Sequence, residues 1–352
     1  MKIAIDVSPL SRGNFLAHRV RGTGSYVTNL LKSLRIYCPD NEYIEFSGEE
    51  ELPKDADVVH YPYFEPFFFT LPSRIGKNSL VTVHDLTPLV FPDKFPAGLK
   101  GNFRWRIQKR RLRNAGAVIT DSQCSKNDIA KFTKIDPSKI YSIYLAAPDN
   151  FKPQTEAKKK AVTQKYNLPD KFALYVGDAT WNKNLPLLVA SFSELGIPLA
   201  IAGKAFSNYD YDKSNPWNRD LEKAQNLAQS NKNIYALGFV PDDDLAPLYG
   251  AATIFAMPSL YEGFGLPLLE AMQSGCPVVT SERGSLKEVG GESVYYVDPE
   301  SLDSMKDGIT KLWKDEKLRQ ELSGKGVKRA KDFSWKKTAE QTVKVYEKIS
   351  GR

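Results

Sequence analysis

The chain has 352 residues, room for two hydrophobic cores at the usual roughly 100–200 residues per domain. Its 41% hydrophobic and 26% charged residues are the profile of a globular protein, and no stretch approaches the roughly 20 apolar residues a membrane-spanning helix needs. The net charge of +7 implies an anionic partner, with nucleic acid, acidic lipid headgroups and phosphorylated small molecules all qualifying.

The N-terminal run MKIAIDVSPL is too short, and meets Asp6 too early, for a signal peptide, so it is expected to open the fold as a strand. Further strands are expected at 42–47, 57–61, 80–84, 117–122 and 139–144, with helices at 23–36, 98–114 and 123–133. Residues 148–171 hold Pro148, Pro153, Pro169 and the lysine run 158–160, which predicts a hinge followed by a surface helix. The alternation restarts at 172–177 and continues with strands at 198–203, 233–239, 253–259, 277–281 and 293–298. These runs are apolar on both parities, as strands covered on both faces should be. A last helix is expected over roughly 335–350. The pattern predicts an α/β chain of two Rossmann-like domains with mostly parallel sheets. Their bounds are placed at 1–160 and 161–332, with 333–352 a terminal helix packing back on the first domain. Cys38, Cys124 and Cys276 are odd in number and lack metal-ligand spacing, which fits a reduced, cytoplasmic location.

The densest chemical signal is PSLYEGFGLPLLEAMQSGCPVVTS, 258–281. A buried strand ends at Pro258, a glycine turn follows, and a helix starts near Leu266 with Pro267 in its first turn, where proline is tolerated. Gly263 and Gly265 let the backbone approach a ligand, and the helix N-terminus suits a diphosphate. Glu262 stands where doubly wound folds bind ligands, and Glu270, about one turn into the helix, suits two ribose hydroxyls. A plain βα turn accounts poorly for two acids flanking one turn.

This segment resembles the E-x7-E motif of retaining glycosyltransferases of the GT-B fold, family 4, in which two Rossmann-like domains face a central cleft. Other ordered matches run nearly the length of the chain: Gly22 and Gly24 in RGTGSY, His84 and Asp85 after the fourth strand, Gly177, Lys183 and Asn184 in YVGDATWNKNL, Ala202-Gly203-Lys204, Gly238–Tyr249, and Phe333–Trp335. The resemblance implies that the first domain binds the acceptor and the second the donor. It gives the donor ribose to Glu270 and the donor-sugar hydroxyls to Glu262, with Gly263, Phe264, Gly265 and Leu266 lining the sugar and Lys183 clamping the diphosphate. Gly22, Gly24, Gly177, Asn182 and Lys204 join the donor-binding set, and Glu262, His84 and Lys183 are the catalytic candidates the resemblance implies. The sequence departs from the family at Asn182, where an arginine is usual. Lys204, Arg19 or Arg21 is expected to supply that charge.

The resemblance also turns His84 toward the sugar, whereas His60 and His18 read as non-catalytic, with His18 in a loop rimming the acceptor site. Gly22-Thr23-Gly24 lacks the third glycine of a dinucleotide fingerprint, so no redox cofactor is expected. Asp210-Tyr211-Asp212 spells the metal-binding DxD of the other large glycosyltransferase fold, but it sits in a polar loop, so no metal is expected either. The basic stretch 103–116 carries Phe103, Trp105, Ile107 and Leu112 among its cations and predicts a helix whose Arg106, Lys109, Arg110 and Arg113 meet an anionic membrane surface on the inner face of the cytoplasmic membrane. The aromatic run 61–69 lies in a nearby loop.

The reading is therefore a metal-independent, retaining hexosyltransferase. It takes mannose from GDP-mannose, or a hexose from a UDP-sugar, to a glycan or lipid-linked acceptor, and nucleic acid is not among its partners. The alternatives are a nucleotide-sugar epimerase of similar shape and a non-catalytic sugar-nucleotide or lipid-binding protein.

Overall fold

A computed structural model of the chain describes residues 1–10, 20–206 and 211–351. It divides into two compact α/β units, 1–146 with 333–352, and 147–332.

In the first unit, β1 (Lys2–Asp6), β2 (Glu42–Phe46), β3 (Val58–Tyr61), β4 (Ser79–Thr82), β5 (Ala117–Thr120) and β6 (Ile140–Ser142) form one parallel sheet in the order β2-β1-β3-β4-β5-β6. The central strands β3, β4 and β5 are buried at every position, because both faces are covered. One face packs Val59, Val81, Val83, Leu112, Val118 and Ile129. Strand alternation turns His60 to the opposite face. There its ring nitrogens lie 2.8 Å from Tyr346 Oη and 2.8 Å from Thr82 Oγ1, which is itself 3.1 Å from Tyr26 Oη. Burial, with a smaller contribution from His84, drives His60 down to about 3, so it is neutral and structural.

The terminal helix Trp335–Ser350 carries Tyr346 and completes this face together with the helix Val20–Tyr37. Its Thr338 Oγ1 donates to the Tyr144 carbonyl at 2.8 Å.

The second unit holds β7 (Ala173–Val176), β8 (Leu199–Ala202), β9 (Ile234–Gly238), β10 (Ile254–Met257), β11 (Val278–Thr280) and β12 (Tyr295–Tyr296), again parallel, in the order β12-β11-β10-β7-β8-β9. Strand order reverses between β7 and β10, and open α/β sheets bind ligands beyond the carboxyl ends of such a pair.

Three expectations need correction. The break between domains falls at 146/147 rather than 160, because 147–165 packs on the second unit. Phe151 meets Tyr249 edge to face at 5.8 Å, Gln273 Nε2 donates to the Pro148 carbonyl at 3.1 Å, and Asp244 takes both Lys165 at 2.5 Å and the Tyr166 hydroxyl at 2.7 Å. Gly22 stands inside the opening turn of Val20–Tyr37 rather than ahead of it, since the helix starts three residues earlier than expected, while Gly24 lies within the helix as expected. Apart from β1 and β3, the strands stop short of the expected ends: β4 closes at Thr82, which leaves His84 two residues past the sheet edge.

Candidate active site

The loops after β7 and β10 build the centre of the second unit's site. After β10 the chain runs Pro258–Gly265 into the helix Leu266–Gln273. Gly265 has φ +91°, a left-handed conformation, and a Cβ there would meet Leu286 Cδ2 at 2.8 Å. That turn aims the helix N-terminus, with its partial positive charge, at the mouth of the loop. Phe264 is buried beside it.

Glu262 is held from below by the loop after β11. Ser285 offers its amide at 3.2 Å and its hydroxyl at 3.0 Å to the Glu262 carbonyl. Gly284 is pressed so close that a Cβ would lie 2.6 Å from that same oxygen. Ser281 Oγ donates to the Ser259 carbonyl at 2.5 Å. None of these supports was read from the sequence. The signal available was SERGS directly after a buried strand.

Lys183 reaches across from the loop after β7. Its Nζ lies 2.8 Å from both carboxylate oxygens of Glu262, and the side chains are 18% and 8% exposed. Two flanking asparagines fix the lysine. Asn182 is buried, donates to the Tyr261 carbonyl at 2.9 Å and accepts from Thr180 Oγ1 at 2.8 Å, while its carbonyl takes the Leu260 amide at 2.7 Å. Asn184, at φ +59°, donates to the carbonyls of Pro258 at 3.2 Å and Pro299 at 2.6 Å. Asn182 therefore does not present a free polar group in the arginine's place. Its amide is spent tying the two loops together.

Glu270 is half-buried in the helix and accepts from Tyr249 Oη at 3.0 Å. Gly177 follows β7 directly, and its amide bonds the Ala202 carbonyl at 3.0 Å. Lys204 is exposed and lies over the Phe239 ring at 5.2 Å.

In the first unit, His84 Nδ1 lies 2.7 Å from Asp121 Oδ2, and the Tyr26 ring stands edge-on at 4.9 Å. Asp121 follows β5 as His84 follows β4, so neighbouring strand ends make the pair. Burial alone pushes His84 down; the facing Asp121 carboxylate, its hydrogen bond and Asp85 more than reverse this, and the imidazole rises above its ordinary range. Among the described residues, His84 Nε2 and Asp121 Oδ1 are buried without a hydrogen-bond partner. Asp121 was not anticipated from the sequence.

Two profiles match the chain, glycosyl transferases group 1 over residues 157–329 and glycosyltransferase family 4 over 7–148. The O-antigen chain mannosyltransferase B of Escherichia coli is 31% identical over 297 residues, covering 82% of this chain and 75% of that protein. The chain belongs to the family 4 glycosyltransferases. It is an enzyme of glycosyl transfer from a nucleotide-sugar donor. The serotype-specific mannosyltransferase WbdA of Escherichia coli is 28% identical to this transferase over 77% of its length, which spans 34% of WbdA. Among solved structures, the sucrose-phosphate synthase of Thermosynechococcus elongatus superposes with a TM-score of 0.75 at 18% identity, covering 100% of this chain and 99% of the other, a likeness of fold.

The transferase's basic helix spans Gly98–Asn114. Arg106, Arg110 and Arg113 are exposed, whereas Lys109 is half-buried with its Nζ 5.7 Å from the Trp105 ring centre. His18, Arg19 and Asp210 lie outside the described residues, as does the side chain of Arg21. Asp212 is exposed, and its carboxylate is taken by Ser214. Among the described residues no group of three or more His, Cys, Asp and Glu is placed to hold a metal, and no helix is long and apolar enough to cross a membrane.

Proposed function

We propose that this transferase moves mannose from GDP-mannose to a glycan or lipid-linked acceptor with retention at the sugar carbon and without a metal. The observation that carries the donor assignment is the 31% identity with a mannosyltransferase over most of both chains. The ion pair of Lys183 and Glu262 supports a role at the strand-order reversal. Without donor the two charges cancel; when the diphosphate arrives, its negative charge draws the ammonium, and the freed carboxylate accepts sugar hydroxyls. As the sugar leaves, charge grows on the diphosphate, and a preplaced cation lowers the barrier most at that moment. Gly263, Phe264, Gly265 and Leu266 line the sugar, Glu270 takes the ribose, and Gly177 and Lys204 flank the nucleotide. Gly22 and Gly24 keep the opening of their helix free of side chains. His84, whose Nε2 has no partner among the described residues, meets the sugar substrate. The departing phosphate assists removal of the acceptor proton, so attack and departure occur on one face.

The acceptor end meets an anionic membrane. The helix Gly98–Asn114 carries Lys100, Arg104, Arg106, Lys109, Arg110, Arg111 and Arg113 and no acid. Each cation close to such a surface contributes about 1 kcal/mol, reduced by salt. A thermal-shift comparison of GDP-mannose with UDP-hexoses tests the donor, since a ligand at 100 times its Kd stabilises by about 2.7 kcal/mol. Stabilisation by a UDP-sugar and none by GDP-mannose would move the assignment.

A further inference from the structure

The face of Gly98–Asn114 turned away from the sheet is not amphipathic across its width; it is divided along its length. At 100° per residue, Leu99, Phe103, Arg106, Arg110 and Arg113 fall on one exposed stripe, while Gly101, Gln108 and Leu112 turn inward. The first two members are apolar and the last three cationic. Leu99 is 92% exposed and Phe103 62%, and beside them Phe69, 53% exposed, lines the same shallow groove of about 420 Å³ with Lys100 and Arg104. Isolated exposed apolar side chains are ordinary, but three large ones meeting at one helix end mark an interaction site.

This tip is built rather than loose. Gln108 Nε2 donates to Thr70 Oγ1 at 2.9 Å and Arg111 to the Leu71 carbonyl at 2.7 Å, which fastens the aromatic loop to the helix. The guanidinium groups of Arg104 and Arg111 lie over the Phe69 ring at 5.8 and 5.4 Å. Among the described residues, Lys100, Arg106, Lys109, Arg110 and Arg113 have no acidic partner.

We propose that Leu99, Phe103 and Phe69 form a wedge that enters the acyl boundary of an anionic bilayer, with the helix seated obliquely and Arg106, Arg110 and Arg113 reaching the lipid phosphates. This rests on the membrane reading above and specifies the part that inserts. The cations sit roughly 5–15 Å along the axis from Phe103, so a tilted helix places apolar tip and guanidinium groups at different depths. A flat helix would bury the arginines with the leucine. An aliphatic side chain as exposed as Leu99 fits lipid tails, and it gives a nucleic acid nothing to stack on.

The test is flotation with vesicles of phosphatidylcholine alone and of phosphatidylcholine with phosphatidylglycerol, at low and high salt. Wild type is compared with Leu99→Ser/Phe103→Ser and with a variant carrying glutamine at 106, 109, 110 and 113. Both serines replace exposed side chains, so folding is unaffected. Wild type is expected to bind the anionic vesicles and keep a salt-resistant fraction. The double serine variant loses that fraction and binds on the order of a hundredfold more weakly, and the glutamine variant loses the preference for anionic lipid. Equal binding of wild type and the serine variant overturns the wedge and leaves the electrostatic reading standing. No binding of wild type to either vesicle overturns both. A wild-type dimer dissolved by the serines assigns the patch to a second copy and overturns the wedge, as does release from vesicles by a single-stranded oligonucleotide at salt where wild type otherwise stays bound.

Discussion

Replacing Lys183 with methionine keeps much of the side chain's bulk and removes its charge from beside Glu262. Two opposite charges about 3 Å apart attract by about 5–6 kcal/mol at an effective dielectric near 20, before desolvation is subtracted. Removing one partner of a buried pair costs about 3–5 kcal/mol. Lys183 retains 18% exposure, so some water reaches the orphaned carboxylate, and about 2–3 kcal/mol is the expected loss. For a unit of roughly 150–250 residues this lowers Tm by about 4–12 °C. Pairing the change with Glu262→Gln removes the orphaned charge, and the double variant should regain most of the Tm. Turnover should behave differently. If the ammonium meets charge developing on the diphosphate, Lys183→Met loses about 10²–10³-fold in kcat, and the double variant does not recover it. Scanning calorimetry of the three proteins, with kcat at saturating donor and acceptor, separates the two roles. A kcat within a few-fold of wild type in Lys183→Met would refute the phosphate role and leave only the structural one.

Glu270→Ala should chiefly raise the donor Kd and Glu262→Ala chiefly lower kcat, because ribose binding is shared by ground and transition states and contact with the reacting sugar is not; near-normal steady-state constants in both variants would remove the site. Asn182→Arg should lower both Tm and activity rather than restore a missing charge, since it breaks the bonds to Tyr261 and Thr180 in a buried position; unchanged melting with raised turnover would show the loops tolerate the arginine. His60, held near 3 against an ordinary 6.5, binds its proton in the unfolded chain first. Stability should therefore fall as pH drops below about 6.5, by about 1.4 kcal/mol per unit, and His60→Gln should flatten that slope in pH-dependent unfolding.

Strand cores were legible because continuous apolar runs such as FALYV and TIFAM admit few alternatives to a strand covered on both faces. Their ends were not: residues such as Val83 and Thr253 favour extended backbone whether or not a neighbour pairs with them. The domain break was placed among the prolines and lysines of 148–171, yet composition says nothing about which core receives Phe151 or Tyr166. Those partners, Tyr249 and Asp244, lie far along the chain. In the site, Glu262 and Glu270 stood out as two acids flanking one glycine turn, and Lys183 through the resemblance of its turn to the family's. Asp121 was silent and the SERGS run around Gly284 and Ser285 gave only a hint, because each matters through a contact across strands or loops that a local pattern does not specify.

The second unit is one continuous stretch, whereas the first is assembled from both ends of the chain. During synthesis a domain can close only once all its pieces have emerged, and domains commonly fold in order from the N-terminus. Here that order is reversed. His60 waits for Tyr346, separated from it by 286 positions, so the first unit stays open with that sheet face covered only by Val20–Tyr37 while the second is complete. Until the last helix arrives, the strands around β3 and β4 are the part of the nascent enzyme most in need of protection.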